Sequence, residues 1–220
     1  MSRYDAVLLD AFGTLIDIDE PYGRLRRSLR RHLGAEVSMA DAERAFLAEM
    51  HYYAGHCHEG SDAAALAGLR ARCAAIVLKE LGIDADPAVA AVLLRDAIAF
   101  RAFDDAAPLL AGLRLAGVAV AVVSNWDCSL RDALEGVGIE IDVVVDSASA
   151  GSSKPDPGIF RRAVAALAVS PGRVLHVGDT EATDGAGARA AGIDVRILDR
   201  GASSPGPDTI TALHDVLALL

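Results

Sequence analysis

Ala6-Val7-Leu8-Leu9-Asp10-Ala11-Phe12-Gly13-Thr14-Leu15 is an apolar run of four residues, then a carboxylate, then a glycine that breaks the run. A short apolar run bounded by turn chemistry reads as a strand buried on both faces, as in a parallel sheet. The design repeats downstream. Residues 118–123 end in Ser124-Asn125, residues 142–145 in Asp146-Ser147, and residues 174–177 in Gly178-Asp179-Thr180. A shorter run, 195–198, closes on Asp199. Between them, residues 107–116, 129–137, 157–168 and 185–191 carry apolar side chains at three- and four-residue spacing, which predicts helices. Strands alternating with helices give an α/β fold with a Rossmann-like parallel-sheet core and helices on both faces.

One stretch departs from this alternation. From Pro21 to Phe100 the chain reads as successive helices, 22–33, 38–53, 63–81 and 87–101, with no β-rich run. Ser38 with Asp41, and Asp86-Pro87, carry helix-start chemistry. The expected organisation is therefore a core of residues 1–18 and 102–220, interrupted by an α-helical cap domain of residues 19–101. Residues 201–207 read as a surface loop.

The 220 residues are 52% hydrophobic and 24% charged, enough apolar content for a substantial core and too much for a disordered chain. A formal net charge of −10 argues against nucleic acid or an anionic membrane as partner, since both select basic surfaces. Cys57, Cys73 and Cys128 are widely spaced and odd in number, so they define neither a disulfide framework nor a metal site. Asp5 comes early, no signal-peptide pattern follows, and no apolar run approaches the ~20 residues of a membrane span. These features predict a soluble, cytoplasmic protein.

Four motifs sit at or just after the strand ends, where open α/β sheets bind ligands. They are Asp10 to Leu15, Ser124-Asn125, Ser153-Lys154-Pro155-Asp156-Pro157, and Gly178-Asp179-Thr180-Glu181-Ala182-Thr183-Asp184. In this order and spacing the set resembles the haloacid dehalogenase-like (HAD) hydrolase superfamily, and the resemblance covers nearly the whole chain, the helical insert included. It implies that Asp10 is a nucleophile forming an acyl-phosphate, or an ester in the dehalogenases, which splits one hard displacement into two easier ones. Ser124 and Lys154 match the residues that hold the phosphoryl oxygens. Asp179 and Asp184 match the acidic pair that holds Mg²⁺, together with Asp10 and the backbone carbonyl of Phe12. Hard oxygen ligands suit that ion. Thr14, Asn125 and Trp126 are expected to meet the substrate, a small phosphorylated metabolite.

The first motif departs from the phosphatase pattern. HAD phosphatases carry a second Asp two residues after the nucleophile as general acid and base. Here that residue is Phe12, and loss of such a group costs about 10²–10⁴-fold in rate. Asp-Ala-aromatic-Gly-Thr is instead similar to the L-2-haloacid dehalogenases, whose halide leaves without a proton. Those enzymes use no metal, lack the Gly-Asp…Asp arrangement, and carry a tyrosine where Phe160 stands; Arg44 aligns only loosely with their cap arginine. Phosphonate-cleaving relatives need a cap lysine, and Lys79 does not match its place. The acidic pair outweighs the first motif, because buried carboxylates beside Asp10 repel unless a cation holds them. The leading expectation is a Mg²⁺-dependent phosphatase. The alternatives are a metal-independent 2-haloacid dehalogenase and a non-catalytic binder of phosphorylated ligands.

Other residues read more plainly. His51, His56, Cys57 and His58 are zinc-ligand types at a spacing that matches no closed site. Tyr52, Tyr53 and His56 are expected on the cap surface, facing the nucleophile. Arg24, Arg26, Arg27, Arg30 and Arg31 make a basic helix whose plain reading is a solvated face. His176, inside an apolar strand, reads as a hydrogen-bonded core residue rather than a base.

Overall fold

The computed structural model describes every residue except Met1 and Pro205, so that one residue of the expected 201–207 loop lies outside the described residues. The chain forms two compact units, one of Met1–Asp17 with Ala102–Leu220 and one of Ile18–Arg101.

The first unit is built on a parallel sheet. Its strands are β1 (Ala6–Leu9), β4 (Ala119–Ser124), β5 (Val143–Asp146), β6 (Val174–Gly178), β7 (Asp194–Leu198) and β8 (Thr209–Ile210), in the order β5-β4-β1-β6-β7-β8. β1 is central, with Leu8 opposite Ala121 on one side and His176 on the other. Successive side chains on a strand point to opposite faces. Ala6 and Leu8 on one face and Val7 and Leu9 on the other are all fully buried, so both faces are covered. Ile159, Phe160, Ala163 and Val164 of helix α8 (Pro157–Leu167) join Ala6, Leu8, Ala121, Val123, Val174 and Val195 in one apolar cluster. Burying a side chain such as Ile159 or Phe160 contributes about 1.5–3 kcal/mol. Helix α5 (Ala106–Leu115) buries Leu109 and Leu113 and packs on β4 and on the 3₁₀ segment Leu213–Leu219.

The second unit is helical: α1 (Pro21–Leu33), α2 (Met39–His56), α3 (Ala63–Leu81) and α4 (Pro87–Ala97). The starts of α2, α3 and α4 have local causes. Ser38 Oγ accepts from Asp41 N, Asp62 from the N–H groups of Ala64 and Ala65, and Asp86 from Ala88 N. Such a cap contributes about 1 kcal/mol. Gly34 and Gly82 end α1 and α3 in the left-handed conformation. α4 stops at Ala97, short of the expected 101. Residues Phe100–Ala102 instead form β3, paired with β2 (Ile16–Ile18) where the chain passes between the units. α2 runs past the expected 53 to His56, whose ring stacks on Tyr52 with centroids 3.9 Å apart. The basic helix finds acceptors inside its own unit: Arg27 bonds Glu20, Arg26 bonds Val37 O, and Arg24 and Arg30 lie near Asp19 and Glu36.

Candidate active site

β4, β1 and β6 are neighbours, so their C-terminal ends bring Ser124, Asp10 and Asp179 side by side. Asp10 follows β1 directly and donates its N–H to Val177 O, which holds it against the end of β6. The turn beyond it closes on Ala11 O, which accepts from Thr14, Leu15 and Ile16. Gly13 sits in this turn at φ +77°, and a Cβ there would run into the Asp179 carboxylate. Only glycine tolerates both the conformation and the close approach.

Asp10 Oδ1 accepts from Ser124 Oγ at 2.8 Å and lies 2.7 Å from Lys154 Nζ. Lys154 Nζ also donates to Asp184 Oδ1 at 2.6 Å. Lys154 arrives from the loop before α8, and Asn125 clamps that loop. The Asn125 side chain donates to Lys154 O at 2.9 Å and accepts from Lys154 N at 2.7 Å. Asp184 comes from a π-helical turn, Glu181–Gly185, a distortion often found at functional sites. Its carboxylate fills the space where a Cβ on Gly178 would stand.

Asp10, Asp179 and Asp184 each offer a carboxylate oxygen, and these lie within 4.8 Å of one another. Asp10 and Asp184 are buried, while Asp179 is open to solvent. Desolvation and the charges of Asp10 and Asp184 push the Asp179 carboxyl above its ordinary value. Burial acts the same way on Asp184, but the His176 hydrogen bond and the Lys154 charge outweigh it and hold that carboxyl below the ordinary range. Burial would lower the Lys154 ammonium, yet Asp10 and Asp184 raise it, so it stays charged. Three carboxylates against one ammonium leave the cluster two negative charges in excess. All the donors are hard oxygens, the set that suits a divalent ion such as Mg²⁺. Asp10, Asp179 and Asp184 would hold it.

The remaining expected residues divide. Thr14 is fully buried, its hydroxyl without a partner among the described residues. Asn125 was expected to meet substrate, but both ends of its amide are engaged with the Lys154 backbone. Trp126 is buried, its ring tilted against Phe12 with centroids 6.5 Å apart. The Phe12 carbonyl receives none of the backbone bonds of the turn, all of which go to Ala11 O or Ile16 O. Phe160 is fully buried against His176, and Arg44 bonds Asp41 and Glu80 O within the helical unit. His51, His56, Cys57 and His58 form no metal-ligating group among the described residues.

The model of the haloacid dehalogenase-like hydrolase family matches residues 4–192. The chain belongs to this family. Among relatives of this HAD-like hydrolase is haloacid dehalogenase-like hydrolase domain-containing protein 3. The human protein is 30% identical over 197 residues, which cover 84% of this chain and 77% of that one. The bovine protein is 43% identical over 96 residues, covering 43% of this chain and only 38% of its own length. A phosphoserine phosphatase of Thermus thermophilus is 34% identical over 123 residues, 54% of this chain and 49% of that one. In fold, the hydrolase is similar to an L-2-haloacid dehalogenase from Xanthobacter autotrophicus, with a TM-score of 0.71, 22% identity and 98% of each chain covered. His176 is the hydrogen-bonded core residue the sequence predicts, but its partner belongs to this site, which the sequence reading did not place it in: Nε2 lies 2.8 Å from Asp184 Oδ1. Its polar ring inside an apolar strand was the signal.

Proposed function

We propose that this hydrolase is a Mg²⁺-dependent phosphatase acting on a small phosphorylated metabolite through an aspartyl-phosphate on Asp10. One observation carries the reading: three carboxylates converge beside a single buried lysine, two negative charges in excess. A metal-independent enzyme has no use for that excess, which costs stability when unbalanced. The similarity to a phosphoserine phosphatase supports the same reading.

In this scheme an Asp10 carboxylate oxygen attacks phosphorus and the bond to the leaving oxygen breaks. Asp10 Oδ1 already carries Ser124 and Lys154, so Oδ2 is the oxygen open to approach. Two of the three Lys154 N–H donors go to Asp10 and Asp184, and the third, without a partner among the described residues, is left for a phosphoryl oxygen. Ser124 Oγ turns from Asp10 to the phosphoryl group once the carboxylate has reacted. Asn125 keeps Lys154 in place throughout. Asp10, Asp179, Asp184 and the Phe12 carbonyl would hold Mg²⁺, which when bound would supply charge stabilisation of the phosphoryl oxygens. Phe12 has no proton to give, so the leaving oxygen is protonated by water and substrates with good leaving groups are favoured. Water then attacks phosphorus, releasing phosphate and regenerating Asp10. Residues 19–101 take the part of the cap domain, and Trp126, packed on Phe12 beside the nucleophile's turn, that of a substrate contact.

The test is hydrolysis of p-nitrophenyl phosphate and acetyl phosphate by wild type and Asp10→Asn, each with Mg²⁺ and with EDTA. Activity that requires both Asp10 and Mg²⁺ is expected. Equal activity in the two proteins would sink the proposal. Phe12 favours a second reading, halide release from a 2-haloacid without metal, which a halide assay in EDTA detects.

A further inference from the structure

His176 stands in β6 on the sheet face formed by Ala6, Leu8, Val123, Val174 and Val195, with Leu8 and Val195 as its register partners. It is fully buried, and Phe160 meets its ring edge-on at 4.9 Å. An aliphatic residue would suit this face without any polar group to satisfy. The imidazole has one definite engagement, Nε2 at 2.8 Å from Asp184 Oδ1, and its Nδ1 meets no partner among the described residues. A carboxylate only accepts, so the proton is on Nε2. The side chain is thus an Nε2–H donor to Asp184.

That assignment makes the two oxygens of Asp184 unequal. Oδ1 takes two short bonds, from Lys154 Nζ at 2.6 Å and from His176 Nε2. Oδ2 takes two long ones, from Thr180 N at 3.2 Å and Thr183 Oγ1 at 3.3 Å. We propose that His176 is a positioning residue: by donating to Oδ1 it fixes the rotation of the Asp184 carboxylate and keeps Oδ2 available to the divalent cation. Without it, Lys154 makes the one short bond left to the carboxylate, against only the two long ones on Oδ2, and the group turns to offer the ammonium both oxygens and withdraws Oδ2. This inference rests on the metal-dependent reading above and adds to it a residue that reading gives no role.

His176→Leu removes the donor at similar size, and His176→Gln sets an amide N–H near the original Nε2. Magnesium titration by calorimetry on the full chain, without substrate, is the first readout. Partners that orient metal ligands typically change metal affinity about 10–100-fold when lost, and His176→Leu is expected in that range. His176→Gln is expected to recover affinity to within about threefold of wild type. KM for p-nitrophenyl phosphate at saturating Mg²⁺ stays unchanged in both. Long-range ¹H–¹⁵N spectra of the wild-type histidines, assigned by the signal lost in His176→Gln, should show a proton on Nε2. Unchanged Mg²⁺ affinity in a folded His176→Leu protein overturns the proposal, as does an Nε2 that carries no proton. Should His176→Leu not fold, His176→Gln and the Nε2 proton decide. A wild type that lacks Asp10-dependent turnover refutes the phosphatase reading, whereas the titration and the spectra, which read no turnover, still judge His176.

Discussion

Replacing Lys154 by methionine removes the one ammonium among three carboxylates while keeping a long apolar stem. The Lys154 side chain is 3% exposed and its partners Asp10 and Asp184 are 7% and 1% exposed, so water cannot take its place. Breaking a buried pair by removing one partner costs about 3–5 kcal/mol. In a chain of this size each kcal/mol moves Tm by about 2–4 °C, so Lys154→Met should melt about 6–20 °C lower in EDTA. The deficit should shrink in Mg²⁺, because the cation restores the missing positive charge; a ligand at a hundred times its Kd adds about 2.7 kcal/mol. It should shrink in acid as well. Asp184 has a folded pKa below its unfolded one, so its stabilisation is full above the ordinary carboxylate value and is lost as pH falls through the depressed one. Lys154 has a raised folded pKa, so its contribution is full below its ordinary value and fades only as pH rises through the raised one. The gap between variant and wild type is therefore widest from about pH 5 to pH 10. Melting curves by circular dichroism, with EDTA or Mg²⁺ and at neutral and acid pH, measure it. A folded variant within about 3 °C of wild type in EDTA at neutral pH would refute the account of Lys154 as the buried counter-charge.

Three further outcomes follow from single positions. Gly13→Ala and Gly34→Ala both place a side chain in the left-handed region, at about 1–2 kcal/mol, but only at Gly13 does the new Cβ strike the Asp179 carboxylate. Both variants should lose about 2–8 °C in Tm, whereas only Gly13→Ala should lose more than about tenfold in phosphatase rate; equal rates would separate Gly13 from the site. Glu49, buried in α2 beside Cys73, has its carboxyl pushed above the ordinary value by burial, so its contribution to stability is lost as pH rises through the folded pKa. Glu49→Gln should then raise Tm at pH 8 more than at pH 4.5, and a pH-independent difference would count against an ionised buried Glu49. Phe12→Asp should raise turnover of alkyl phosphates, up to the ~10²–10⁴-fold of a positioned acid, with little change for p-nitrophenyl phosphate; parallel gains on both would show that protonation was not limiting.

Local patterning was enough to place β1, β4, β5, β6 and β7, because each is an apolar run closed by turn residues. It was enough for the starts of α2 and α4 as well, because Ser38 and Asp86 cap them through bonds two or three residues long. Asp10, Ser124, Lys154, Asp179 and Asp184 were legible as a set since motif order carries them to neighbouring strand ends. β8 was not legible, as two residues carry no periodicity. Nor was the early end of α4, which depends on β3 pairing with a strand far away in sequence.

What tertiary structure alone decided is how each of those side chains spends its hydrogen bonds. Asn125 reads like a substrate ligand in sequence, yet the strand order sets it against a backbone 29 residues on, where it clamps Lys154. His176 reads as core, yet it reaches Asp184 because a π-helical turn folds that carboxylate back over the end of β6. Phe160 aligns with an active-site position of the dehalogenases but faces the apolar cluster beneath the sheet. A sequence states which chemistry is available and which face of an element is buried. Which donor meets which acceptor depends on distances across strands and loops remote in the chain, and those exist only once the sheet has assembled.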